Sequence, residues 1–390
     1  MTTHPELSLG FSASELVQRI ERHSLRVQQP ASSGSLVSLA MGEPDFATPH
    51  KITVAAAKAL EEGFTHYSPM RGESALREAI ARSLGELAGG DFAADDVLVT
   101  QGGTAGLAAA ILAVVNPGDR VVIPDPTYSL YADLVNMAGG TVVPVPLAED
   151  LHWDVPALAE ALVGAKLFVF CNPSNPTGIV HSRAELEGLA AAVAGTETLV
   201  LADEAYSELV YTPEPFTSAL QLSGLRDRTI YCQTFSKSYA MTGWRVGYLW
   251  GPSDVMNAAA RVHGTFNGSL NSAVQHAAVV ALEQCREDIE EMRRSYQARC
   301  ELMYAGLAKI PGLTVRQPEG AFYLFPKYEL DVPSAQLTAD LRSFGVAVRP
   351  GGEFGAAGEH HLRLSYAASP EHIAAGVERL ATGLSELARR

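Results

Sequence analysis

Three polar clusters stand directly behind three apolar runs. Residues 198–202 lead into Asp203-Glu204-Ala205-Tyr206. Thr229–Thr234 leads into Phe235-Ser236-Lys237-Ser238. Residues 166–171 lead into Asn172-Pro173-Ser174-Asn175-Pro176-Thr177-Gly178. In open α/β sheets ligands bind outside the carboxyl ends of the strands, so the three clusters can face one crevice. A lysine that is desolvated or set beside another cation loses its proton and becomes a nucleophile and proton carrier; Arg245, eight residues on, is such a cation. A carboxylate such as Asp203 keeps a proton on a neighbouring base. Each residue also has an ordinary alternative: Asp203 as a helix cap, Lys237 as a solvated charge, Asn175 as a turn residue before proline, Tyr206 as a packed aromatic. Arg363 lies in the apolar run Leu362-Arg363-Leu364, and a buried arginine needs an anionic partner, from inside the protein or from a ligand.

The elements that must carry these residues alternate along the chain. Helical periodicity covers residues 51–62, 74–87, 104–115, 128–137, 155–162 and Arg183–Val193. Strand-like runs occupy Val97–Thr100, 120–123, 141–145, 166–171, 198–202, Thr229–Thr234 and 245–250; they lack polar alternation, as strands buried on both faces should. Such alternation predicts a mostly parallel α/β sheet with helices on both sides. Gly102-Gly103-Thr104-Ala105, between a strand and a helix, can offer backbone N–H groups to an anion. Near the N-terminus, Ser12-Ala13-Ser14-Glu15 reads as a capping box ahead of Leu16, Val17, Ile20 and Val27, and residues 30–35 read as a polar loop. Residues 271–310 read as one long helical stretch with room for a kink, and short strands at 321–325, 346–348 and 361–366 suggest a smaller α+β domain.

Composition narrows the class. The chain has 390 residues, 47% of them hydrophobic, enough for a large core. A formal charge of −15 argues against nucleic acid as a partner. The apolar run 107–115 is too short to span a membrane, and no apolar leader opens the sequence. Cys171, Cys232, Cys285 and Cys300 form no Cys-x-x-Cys pair and no zinc-type cluster, so reduced thiols in a cytoplasmic protein are expected, and no metal site.

Taken together and in order, five motifs resemble those of the fold-type I, pyridoxal phosphate-dependent aminotransferases of class I and II. They are Asn175-Pro176-Thr177-Gly178, Asp203-Glu204-Ala205-Tyr206, Ser236-Lys237 with Gly243-Trp244-Arg245-Val246-Gly247, Pro318-Glu319-Gly320-Ala321-Phe322-Tyr323, and Arg363-Leu364-Ser365-Tyr366. The resemblance runs from about residue 39 to the C-terminus. It implies a seven-stranded, mostly parallel sheet, a large cofactor-binding domain over 49–308, and a small domain made of 1–48 plus 309–390. It further implies that Lys237 holds the cofactor as a Schiff base and that Asp203 faces its pyridine nitrogen. Asn175 and Tyr206 match donors to its phenolic oxygen, and Tyr128 the aromatic stacked on its ring. Gly103, Thr104, Thr234, Ser236 and Arg245 match the phosphate cup, and Tyr67 a tyrosine that reaches the phosphate in the neighbouring subunit of a homodimer. Arg363 matches the clamp on the substrate's α-carboxylate, and Gly42 a small residue on a segment that closes over the substrate. The implied reaction moves an amino group from an L-amino acid to a 2-oxo acid such as 2-oxoglutarate.

Rival readings remain at this level. Elimination, cyclisation or Cα oxidation uses nearly the same cofactor contacts, a non-catalytic ligand sensor can share the fold, and an unrelated nucleotide-binding protein shares the alternation alone. By the same resemblance, members that prefer aspartate need a second cation, which some place as a lysine at the position of Thr104; the neutral Thr104 favours neutral or aromatic donors, while Arg261 matches an arginine that some members send into the neighbouring subunit and could reverse this.

Overall fold

A computed structural model describes residues 12–26 and 36–389. Val27 and the stretch 30–35 lie outside the described residues. At its centre is a seven-stranded sheet. In chain order its strands follow a short first strand, β1 (Val37–Ser38): β2 (Val97–Thr100), β3 (Arg120–Asp125), β4 (Thr141–Pro146), β5 (Leu167–Cys171), β6 (Leu199–Asp203), β7 (Thr229–Thr234) and β8 (Gly247–Trp250). The spatial order is β2-β8-β7-β6-β5-β3-β4. Only β8 runs against its neighbours; the remaining pairs are parallel.

Alternation along β5 explains why this sheet needs helices on both faces. Leu167, Val169 and Cys171 pack with the helices Gly102–Val114 and Leu130–Ala138. Phe168 and Phe170 point the other way, onto Leu158, Leu186, Leu189 and Val193 of Val155–Ala161 and Arg183–Val193. Each such fully buried large side chain contributes roughly 1.5–3 kcal/mol, so neither face can be left to water. At the β2 end, Val97, Val99, Tyr231 and Tyr248 pack against His50–Glu61, Ser74–Ala88 and Ser272–Gln284. The edge strand β4 departs from expectation: Thr141, Pro144 and Pro146 are exposed, so it is not buried on both faces.

The C-terminal part carries β9 (Leu313–Thr314), β10 (Tyr323–Leu324), β11 (Lys327–Tyr328), β12 (Val346–Ala347), β13 (Arg349–Pro350) and β14 (Leu362–Ser365). Strand β14 is central, between β10 and β13. The N-terminal β1 pairs in parallel with β12, Val37 opposite Val346. Among the described residues no helix is long and apolar enough to cross a membrane.

Several boundaries differ from the sequence reading. The first helix, Glu15–His23, is capped by Ser14, not Ser12; the Ser14 hydroxyl accepts from Val17 N, and with no acid at that third helical position there is no capping box. The stretch 271–310 is two helices, Ser272–Gln284 and Arg286–Leu307, parted at Cys285, whose backbone (φ −112°) is not helical. Tyr128 precedes its helix instead of opening it, and Gly102 and Gly103 are already in the first turn of theirs. Strand β8 starts at Gly247, because Arg245 takes a left-handed backbone (φ 55°) after the turn Thr242–Trp244.

Candidate active site

Strands β5, β6 and β7 end side by side, and their polar clusters line one cavity of about 710 Å3. Its walls include Gly42, Gly103, Thr104, Tyr128, Asn175, Asp203, Tyr206, Thr234, Ser236, Lys237, Arg245 and Arg363. One sequence candidate is elsewhere: Tyr67 is 98% exposed and does not line this cavity. Arg261 lies on the exposed side of the helix Ser253–Asn267, also away from it.

Asp203 ends β6 and is buried. Tyr131 donates its phenol to Asp203 Oδ2 at 2.7 Å, and Ala205 N approaches Oδ1 at 3.3 Å. Burial pushes the Asp203 carboxyl up to about 6, against the pull of Tyr131, Ala205 N–H and the Lys237 charge. A buried carboxylate so placed awaits a cation or strong donor. Lys237 sits just beyond β7, and its Nζ donates to the Gly42 carbonyl at 2.7 Å. Burial, then the nearby Arg363 charge, lowers its amine to about 8. The two groups that a proton-transfer site needs are thus shifted towards each other.

On the opposite side, the turn that breaks β8 returns Arg245 over the start of the Gly102–Val114 helix. A Cβ at Gly102 (φ +79°) would meet Arg245 Nη2 at 2.6 Å, so only glycine lets the guanidinium lie on that turn. Thr234 and Ser236 hydroxyls are 2.9 Å apart beside it. Helix-start amides, two hydroxyls and one cation form an anion cup.

Arg363 projects from β14 and is buried. Its Nη1 donates to Asn175 Oδ1 at 3.0 Å and its Nη2 to the Ala40 carbonyl at 2.8 Å, while Nε has no partner. The guanidinium lies between the Tyr323 and Phe354 rings, 4.5 and 4.8 Å from their centroids. Among the described residues no carboxylate pairs with it. An internal salt bridge therefore does not account for this charge. Tyr206 and Tyr323 share a hydrogen bond of 2.9 Å. A Cβ on Gly42 would come within 2.0 Å of the Tyr323 hydroxyl, which requires the smallest residue on that segment.

The Asn172–Gly178 loop is pinned from outside. His181 N donates to Asn172 Oδ1, and Glu319 N and Gly320 N donate to the Gly178 carbonyl. His152 joins Glu185 (3.0 Å) to Glu319 (3.5 Å), and these carboxylates raise its imidazole to about 10. His152, His181 and Glu185 have metal-ligand spacing. However, both Glu185 oxygens already accept from His181, His152, Trp153 N and Ser182, which makes this a structural brace.

Sequence reasoning missed Tyr131 under Asp203, Tyr323 between Tyr206 and Arg363, and the pair Arg349–Glu353 in the cavity wall. Tyr323 stood inside a quoted motif and Glu353 inside the glycine-rich loop Gly351-Gly352-Glu353-Phe354-Gly355, which reads as a flexible loop near the same mouth; Tyr131 and Arg349 had no motif to mark them.

A family model described as aminotransferase class I and II matches residues 35–380. The chain is 36% identical over 374 residues to a bifunctional aspartate aminotransferase and glutamate/aspartate-prephenate aminotransferase of Petunia hybrida, covering 90% of this chain and 76% of that one. The fold superposes on an aromatic aminotransferase from Pyrococcus horikoshii with a TM-score of 0.88 at 34% identity, over 95% of this chain and 99% of that one. It also superposes on a methionine aminotransferase of Escherichia coli with a TM-score of 0.84 at 28% identity, over 98% and 100%.

Proposed function

Because the chain belongs to aminotransferase class I and II, and so transfers amino groups between amino acids and 2-oxo acids with pyridoxal 5'-phosphate, we propose that its donors are neutral or aromatic L-amino acids, with 2-oxoglutarate as an acceptor. The observation that carries this reading is the cavity itself. Of the arginines that line it, Arg363 is buried and pairs with no carboxylate among the described residues, Arg349 is tied to Glu353, and Thr104 is neutral at the position where, by the family resemblance, some members carry a lysine for a distal carboxylate. The relatives' names cover aspartate, aromatic and methionine transfer, so side-chain preference must come from this chain's own residues.

The residues present fit the cofactor. Asp203 supplies a buried carboxylate for a protonated ring nitrogen, and Tyr128 an aromatic face. Asn175 and Tyr206 are donors for the ring oxygen, and Arg245, Thr234, Ser236, Gly103 and Thr104 an anion cup. Pyridoxal phosphate, when bound, supplies the electron sink that makes the substrate's α-proton acidic. Lys237 is the attachment point and, once released, moves that proton; its lowered pKa leaves a useful share of neutral amine near pH 8. Arg363 orients the substrate through its α-carboxylate. The division into 49–308 and 1–48 plus 309–390 belongs to the same reading. So do a homodimer in which the exposed Tyr67 enters the partner's site and a cytoplasmic location, which the four free, buried cysteines suit.

Two measurements test it. With 2-oxoglutarate fixed, kcat/KM for phenylalanine and leucine should exceed that for aspartate; aspartate leading by tenfold, about 1.4 kcal/mol, would overturn the donor assignment and point to Arg261. Arg363→Lys should raise KM for amino and 2-oxo acids at least tenfold, since the two-pronged contact is lost. An unchanged KM for every substrate would make Arg363 structural.

A further inference from the structure

Strand β13 places a second arginine beside the clamp. Arg349 lies directly opposite Arg363 in the antiparallel register, so the two side chains leave the same face, with Cβ atoms about 5 Å apart. Both line the cavity. Arg349, however, forms an ion pair with Glu353, four residues on, in the turn Gly351–Phe354. Glu353 is 5% exposed, also lines the cavity, and its Oε2 has no hydrogen-bond partner. A buried carboxylate oxygen without a partner is costly unless a ligand completes it.

We propose that Glu353 is a specificity-determining residue that sets the side-chain pocket for neutral, hydrogen-bond-donating side chains and against distal carboxylates. This deepens the donor preference above and rests on it. One Glu353 oxygen compensates the Arg349 charge that a distal carboxylate would otherwise use. The other is buried in the cavity wall without a partner, so it favours a side chain that brings it an N–H or O–H donor and repels an anion. A dicarboxylate such as 2-oxoglutarate gains Arg349 only by drawing it away from Glu353. Such an acceptor therefore binds weakly for its size.

The isosteric pair glutamine and glutamate isolates this effect, because the carboxamide and the carboxylate differ only in charge and donor capacity. In the native holoenzyme glutamine should lead glutamate in kcat/KM. Glu353→Gln should move that ratio at least tenfold towards glutamate and lower KM for 2-oxoglutarate, whereas Glu353→Asp should keep the native preference. Titration calorimetry with the unreactive pair glutaramate and glutarate reads the same shift as a change in relative Kd, without turnover. A merely structural Glu353 would weaken all ligands alike and leave both ratios fixed; that result in the folded Glu353→Gln protein overturns the proposal. If native protein transfers from aspartate above all others, the donor assignment fails. The calorimetric ratio still decides the role of Glu353.

Discussion

Lys237→Ala should lower kcat by at least about 10^4-fold, the upper range for losing one positioned acid–base group, because the same amine also attaches the cofactor. Among the described residues Lys51, Lys58, Lys166, Lys309 and Lys327 do not line the cavity, so none can substitute. In the native protein, borohydride followed by peptide mass mapping should leave the cofactor's mass on the peptide containing Lys237; the mass on any other lysine would overturn the assignment. The fold should survive the change. The Lys237 side chain makes one hydrogen bond, to the Gly42 carbonyl, and its amine is already held towards the neutral form by burial.

Asp203→Asn should lower kcat about 10^3-fold, near 4 kcal/mol, the scale of losing one aligned charge partner in a dry site. Its effect on stability should be the opposite of an ordinary core lesion. The native carboxyl is raised from its usual range to about 6 by burial. An acid raised on folding adds stability that is full below its unfolded pKa and is lost as pH rises through the folded one. Above pH 6 the ionised Asp203 therefore costs the cofactor-free protein on the order of 3 kcal/mol. The amide avoids that cost, so the melting temperature of the cofactor-free Asp203→Asn protein at pH 8 should not fall below that of the native protein. Cofactor loading should stabilise the native protein more than the variant. Near-normal turnover in the variant would refute the role of Asp203.

The sheet and the strand-end residues that line the cavity are legible in the sequence because burial and motif agree there. Runs apolar on both faces end in Asn175, Asp203 and Lys237, and parallel strands bring such ends together. What escaped was whatever depends on register or pitch. Tyr128 and Tyr131 are three residues apart, yet one lines the cavity and the other lies beneath Asp203. Arg349 meets Arg363 only through the β13–β14 register, and residues far apart in sequence carry no periodic signal of that pairing. The break at Cys285 was blurred because helical periodicity resumes at once on its far side. Arg245 reads as the start of a strand, since the left-handed backbone that turns it over Gly102 leaves no mark in residue type. Ser12 and Ser14 both precede the first helix, and only the observed bond to Val17 N chooses between them.

The pairing of β1 with β12 has a consequence for biosynthesis. Ser365 N reaches the Leu39 carbonyl, and Arg363 reaches Ala40 and Asn175, so the Arg363 end of the cavity joins an N-terminal segment to a C-terminal strand. A ribosome releases Asp203, Lys237 and Arg245 long before Arg363. The half of the cavity built on these three residues can therefore assemble during translation, while residues 37–42 wait for their partners. Closing so long a loop is slow and leaves Val37 and Leu39, both buried in the finished protein, exposed in the meantime. Maturation is then ordered: the Asp203–Lys237–Arg245 half of the cavity forms before the Arg363 end, and that interval is when the N-terminal segment most needs protection from aggregation.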